Sequence, residues 1–410
     1  MKNLYKKTIL GNGITVISEK IESVRSIALG IWVKTGSRLE HQSEYGIAHF
    51  VEHMIFKGTR TRSPLKIAQS LERLGGSLNA FTGKEVTCYY ANSLDIHLKQ
   101  SVEILADIVC NSIFPDKEIV KERMVVLEEI KAVKDTPEEY IFDVFHEKLF
   151  PEDPLGHPIL GYAEKIRNFN RHHVLNFWQN YYSSQNIVIA AAGNLDHTNL
   201  VKLVENYFRF NPFIQQNGYK KVTVGKPNTF YINQPINQAH ICTGGKGISY
   251  TSDERFPLLV LNTYLGGGMS SKLFQTLREK HGLAYSIYSY ADFYADIGLF
   301  GVYIGTDSNK LGVVNELLKN ELNLARKKPM STNRLKQIKN QLKGNLVLGL
   351  ENTSRRMSRL AKNEIYFNDY ISIDNLIESI DKVTNDDVLA VAENVINPDK
   401  FINVIFKPMN

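Results

Sequence analysis

Cysteine is scarce: Cys88, Cys110 and Cys242 are the only three in 410 residues. They share no spacing motif and sit in apolar or strand-like surroundings. That excludes a disulfide framework and predicts reduced core thiols in a reducing compartment. No apolar run approaches the length of a bilayer span, so the sequence predicts a soluble globular chain without a membrane partner. The opening residues lead into "ILGNGITVISE" with neither the continuous apolar stretch of a secretory signal nor an Arg-rich transit peptide. A bacterial cytoplasmic location is expected, or an organellar matrix if the sequence is a processed mature form. Charge of one sign is lacking too: a net +6 is too dilute to predict a nucleic-acid partner. Gly266-Gly267-Gly268 is followed by no Gly-Lys-Ser/Thr at phosphate-loop spacing, which argues against nucleotide binding. His172 and His173 are adjacent and diverge on a helix, a poor metal pair. The cluster Arg355, Arg356 and Arg359 reads as a solvated or salt-bridged helix face.

What is present concentrates in one short run, His49-Phe50-Val51-Glu52-His53. Two imidazoles at i and i+4 share a helix face and can bind one metal ion. Glu52, one step before the second histidine, flanks that ion and can take a proton from a bound water. The order His-x-x-Glu-His is the inverzincin signature. Gly46 before it, Gly58 after it and an apolar face of Ile47, Phe50, Val51, Met54 and Ile55 make the helix credible.

A catalytic zinc normally takes a third protein ligand. Downstream, 116–130 reads as a strong helix that starts at Pro115-Asp116. Glu122 and Glu129 are seven residues apart, two turns, and share a face, whereas Glu128 points away. Val125 and Val126 between them imply that part of this helix is buried.

The wider pattern is α+β. Strand-like runs at 14–18 and 25–34 precede the motif helix, others fall at 86–93 and 186–193, and 95–110 reads as a helix. The second half repeats the order, with strands near 229–243, helices at 254–265 and 270–280, strands at 284–305 and long helices after 308. The division expected is a metal-binding domain over 1–213, a linker over 214–228 and a homologous metal-free domain over 229–410.

The motif, the two later glutamates in "KERMVVLEEI", and the segments "GSR" (36–38), "YGIAHFVEHMIFKGT" (45–59), "LGGSLNAFTGKEVTCYY" (74–90), "GHPILG" (156–161) and "LGGGMSSKLFQTLREKHGLAYSIYSY" (265–290) resemble the pitrilysin-type (M16) zinc metallopeptidases. The likeness extends to the short subfamily of the mitochondrial processing peptidase β-subunit and its bacterial homologues. It covers essentially the whole chain. It implies two α/β-roll domains forming half of a clamshell chamber that dimerisation completes. It also implies one Zn²⁺ per chain, held by His49, His53 and Glu129, with Glu52 as general base and Glu122 as an auxiliary carboxylate. Asn79, Ala80 and Phe81 would lie along an exposed sheet edge to which a peptide adds as a strand. Arg278 and Tyr285 would hold substrate near the scissile bond.

On this resemblance the chain is a metalloendopeptidase acting on short or unfolded peptides, and the zinc of one protomer faces Arg278 and Tyr285 of the other. One alternative is the catalytic subunit of a heterodimeric processing peptidase. The other is a non-catalytic core-type interaction subunit, which the intact ligand set and Glu52 argue against.

Overall fold

The computed structural model describes residues 4–210 and 218–409. The chain is a two-domain α+β protein, divided into two compact units. The first comprises the residues up to Lys131, His157–Lys220 and Gly349–Tyr370; the second comprises Ala132–Gly156, Lys221–Leu348 and the residues from Ile371 onward. No single cut therefore separates them. The boundary expected at 213 and the start of the expected linker lie outside the described residues.

The first unit is built on β1 (Tyr5–Ile9), β2 (Thr15–Lys20), β3 (Ser26–Val33), β4 (Ser77–Thr82), β5 (Thr87–Leu94) and β6 (Ile187–Gly193), in the spatial order β1-β2-β6-β3-β5-β4. β2 and β6 run parallel, and the other pairs are antiparallel. β3 reads SIALGIWV with almost every residue buried. Successive side chains of a strand point to opposite faces, so a strand this apolar needs cover on both. Ile27, Leu29, Ile31 and Val33 join the core that includes the helices Ile47–Ile55, Leu98–Asn111 and Arg171–Tyr181. Ala28 and Trp32 face the helix Thr353–Phe367, packing with Met357, Leu360 and Ala361. Gly30 allows that approach: a Cβ there would sit 2.6 Å from Met357 Sδ.

The second unit is built on β7 (Asn228–Gln234), β8 (Ala239–Gly247), β9 (Ala284–Phe293), β10 (Gly298–Thr306) and β11 (Ile402–Pro408), in the order β7-β11-β8-β10-β9. This is the order of β2 to β6 in the first unit, again with one parallel pair, β7 with β11. Here too a single helix covers one face: Ile141, Val144 and Phe145 of Pro137–Leu149 pack with Cys242, Val404 and Phe406. The opposite face packs the helices Arg255–Gly266, Leu311–Lys327 and Asn385–Val395. Each unit thus takes the lone helix on its sheet from the other half of the sequence.

Most expected elements are present within a few residues. The helix expected at 270–280 is a π-helix over Phe274–Lys280. Within the region read as long helices after 308, the chain ends in β11. No helix among the described residues is long and apolar enough to cross a membrane.

Candidate metal centre

The helix Ile47–Ile55 begins at Gly46, whose φ of 99° is a left-handed conformation that suits glycine. Gly161, at φ 70°, packs backbone to backbone against it, and a Cβ on Gly46 would come 2.9 Å from Gly161 Cα. One face of the helix is core, with Ile47, Phe50, Val51, Met54 and Ile55 all fully buried. His49 and His53 lie side by side on the next face, ring centroids 4.4 Å apart and planes tilted by 56°.

The helix Asp116–Lys134 comes alongside through a buried stripe of Ile119, Glu122, Val126 and Ile130. Glu122 is a charged member of an otherwise apolar row, and it is satisfied there. Its Oε1 accepts the Nδ1 proton of His53 at 2.8 Å, and its Oε2 meets Lys57 Nζ at 2.7 Å. With Nδ1 so engaged, Nε2 of His53 is left for other chemistry, and Glu129 Oε2 lies 3.7 Å from it. One ligand atom each from His49, His53 and Glu129 lies within 4.8 Å of the others.

Two observations test whether these residues fit a metal ion. His49 Nδ1 and Glu129 Oε2 are buried and have no hydrogen-bond partner among the described residues, an unfavourable state for groups that ought to be bonded. The donor set of two imidazoles and a carboxylate suits Zn²⁺. The residues present fit the group.

The electrostatics are asymmetric. Burial, with His53 beside it, pushes His49 down to about 3. Burial also opposes a charged His53, but the Glu122 hydrogen bond and the carboxylates of Glu129 and Glu52 outweigh it and raise that imidazole. Burial raises the Glu52 carboxyl, although Thr82 Oγ1 donates to its Oε2 at 2.6 Å. For Glu122 burial is outweighed by His53 and Lys57, which together lower it.

The other expected residues fall as follows. Asn79, Ala80 and Phe81 lie on β4, at the edge of the first sheet, with Asn79 and Phe81 exposed. The backbone N–H of Ala80 donates to the Asn79 side chain at 2.8 Å. Phe81 packs edge-on to Trp32, centroids 5.4 Å apart. Arg278 and Tyr285 belong to the second unit, where the structure pairs them with each other. Arg278 Nη1 donates to the Tyr285 carbonyl at 2.7 Å, and its guanidinium lies over the rings of Phe274 and Tyr285. Arg356 and Arg359 both pair with Glu19, as a salt-bridged face requires.

Sequence reading missed Lys57, Thr82 and Glu40. Lys57 follows the C-cap Phe56 of the motif helix, four positions after His53 and next to the glycine that ends the segment. Thr82 and Glu40 had no local signal.

Residues 15–163 match the insulinase domain of peptidase family M16, and residues 168–342 match the domain described as peptidase M16 inactive domain. The chain belongs to peptidase family M16. It is 37% identical to an uncharacterized zinc protease of Streptomyces coelicolor over 98% of this chain and 89% of that one. It is likewise 37% identical to the uncharacterized zinc protease YmxG of Bacillus subtilis, covering 98% of both. A protease from Helicobacter pylori has the same fold, with a TM-score of 0.92 at 22% identity over 98% of this chain and 99% of that one. All four motif-and-ligand candidates, His49, Glu52, His53 and Glu129, fall in the M16 insulinase match, and Arg278 and Tyr285 fall in the M16 inactive-domain match.

Proposed function

We propose that this M16 protein is a zinc-dependent endopeptidase that hydrolyses short or unfolded peptides. The observation that carries the reading is the convergence of His49, His53 and Glu129 on one point, with Glu52 on the same short helix. Zinc held by those three residues, one ion per chain, would supply a Lewis acid that polarises the scissile carbonyl and acidifies water. Glu52 takes the proton of the attacking water and returns it to the departing amine. Burial raises its carboxyl, which makes it a stronger proton acceptor than an ordinary glutamate. Glu122 holds His53 in one tautomer, with Nδ1 protonated. The free edge of β4 offers main-chain groups for an added peptide strand.

Arg278 and Tyr285 supply a fork of donors and an exposed hydroxyl for the peptide backbone. In this reading two copies form a closed chamber, and the pair from one protomer serves the metal centre of the other. The bacterial relatives support a bacterial setting, with the cytoplasm as the proposed compartment.

Cleavage of a quenched peptide library by the zinc-loaded protein, abolished by chelation and restored by zinc, tests the activity. A folded substrate should resist until it is unfolded. Mixed dimers of Glu52→Gln and Arg278→Ala protein test the shared site: activity should return on mixing. No return after demonstrated subunit exchange would sink the homodimer arrangement.

A further inference from the structure

Five consecutive residues, Gly36 to Glu40, grip two separate parts of the first unit that meet at Glu52. The grip on the helix is Glu40, whose side chain is buried. Its Oε2 accepts the backbone N–H of Gly46 at 2.8 Å, and its Oε1 accepts that of Ala48 at 2.7 Å. These donors belong to the first turn of Ile47–Ile55, where backbone N–H groups have no partner within the helix. Gly46, at the cap position, has no side chain to serve them. Glu40 therefore fixes the start of the element that carries His49, Glu52 and His53.

The grip on the hairpin is backbone first. Ser37 N–H donates to the Gly83 carbonyl at 3.1 Å and Arg38 N–H to the Lys84 carbonyl at 2.7 Å. A Cβ at Gly36 would overlap the Gly83 carbonyl oxygen, so this approach requires glycine. Arg38 Nη1 then meets Glu85 Oε1 at 2.6 Å with both side chains buried, and the Tyr366 hydroxyl donates to Glu85 Oε2 at 2.8 Å. Thr82, immediately before this turn, donates to Glu52 at 2.6 Å. The Thr82–Glu52 bond thus joins two bodies tied to the same five residues.

We propose that Glu40 is a positioning residue for Glu52, and that Arg38 and Glu85 hold the Thr82 side of the same contact. The proposal rests on the reading of Glu52 as general base. Glu40 acts through the helix and contributes no group to the reaction. A base must stay within hydrogen-bond reach of its proton, and a misplacement of about 1 Å costs on the order of a hundredfold in rate. Glu40→Gln keeps the shape of the side chain but replaces one of its two acceptor oxygens with a donor.

The test compares full-length wild type, Glu40→Gln, Thr82→Val and the double variant, all saturated with zinc. Expected for Glu40→Gln are unchanged zinc stoichiometry, KM within about twofold, kcat lower by roughly 10- to 100-fold, and faster amide exchange over 46–55. The double variant should be no slower than the worse single variant, because both changes break one contact. A structural role alone would lower Tm and the folded fraction, leave kcat per zinc-loaded molecule unchanged and give additive effects; that result would overturn the proposal. If Glu40→Gln does not fold, Arg38→Met reads the same contact from the hairpin side, with the same loss of kcat expected and an unchanged kcat overturning it. A wild type that cleaves nothing would overturn the peptidase reading and the positioning role together.

Discussion

Glu122 accepts the Nδ1 proton of His53 at 2.8 Å while its other oxygen is held by Lys57 at 2.7 Å. A partner of this kind orients the ring and raises its basicity as a ligand. Glu122→Gln should weaken zinc affinity by roughly 10- to 100-fold, read by competition with a chromophoric chelator. Wild-type affinity in that variant would show that Glu122 plays no part in holding the ligand.

The two imidazoles should compete unequally with protons for the metal. Ligation needs a neutral ring. His49, pushed down to about 3, is already neutral at any working pH. His53, raised by its carboxylate neighbours, gives up a proton on ligation at pH values below its own pKa. As pH falls below the ordinary histidine range, apparent zinc affinity should drop about tenfold per pH unit, one proton released per ion. A slope of two protons between pH 5 and 6.5 would contradict this.

Thr82→Val removes the hydroxyl that donates to Glu52 and keeps the side-chain shape. That bond favours the carboxylate, so its loss raises an already raised group further. The acid limb of the kcat/KM profile should move to higher pH, because the base then loses its proton later. An unmoved or lowered limb would count against the assigned role of Glu52.

Gly161, at φ 70°, leaves no room for a side chain: a Cβ would overlap the Tyr45 carbonyl oxygen. Gly161→Ala should destabilise the protein by about 3 kcal/mol, seen as a lower urea midpoint, and reduce zinc loading because Gly46 lies against it. An unchanged midpoint would show that the loop yields without strain.

The metal-site helix was legible because its information is local: His49, Glu52 and His53 fall within just over one turn, and glycines bracket them. The helical stripe through Glu122 was half legible: of Val125 and Val126, from which burial is expected, Val126 is buried on the Glu122 side and Val125 is exposed. Which glutamate faces the histidines needed the family likeness, because helical spacing alone leaves several carboxylates on that helix as candidates. Glu40 and Thr82 were illegible. Thr82 acts on Glu52 at a sequence separation of 30, and Glu40 accepts from Gly46 and Ala48 six and eight positions on, outside the usual N-cap spacing. The parallel pairs β2–β6 and β7–β11 were equally hidden, since each joins segments far apart in sequence. The lone covering helices, Pro137–Leu149 and Thr353–Phe367, follow the same rule.

The most direct test of the metallopeptidase reading is metal content together with peptide hydrolysis for purified wild type and Glu52→Gln. About one zinc per chain is expected in both proteins, with cleavage by wild type alone, because Glu52 moves the proton and holds no metal. Absence of zinc from both, under conditions of zinc excess, would contradict the site.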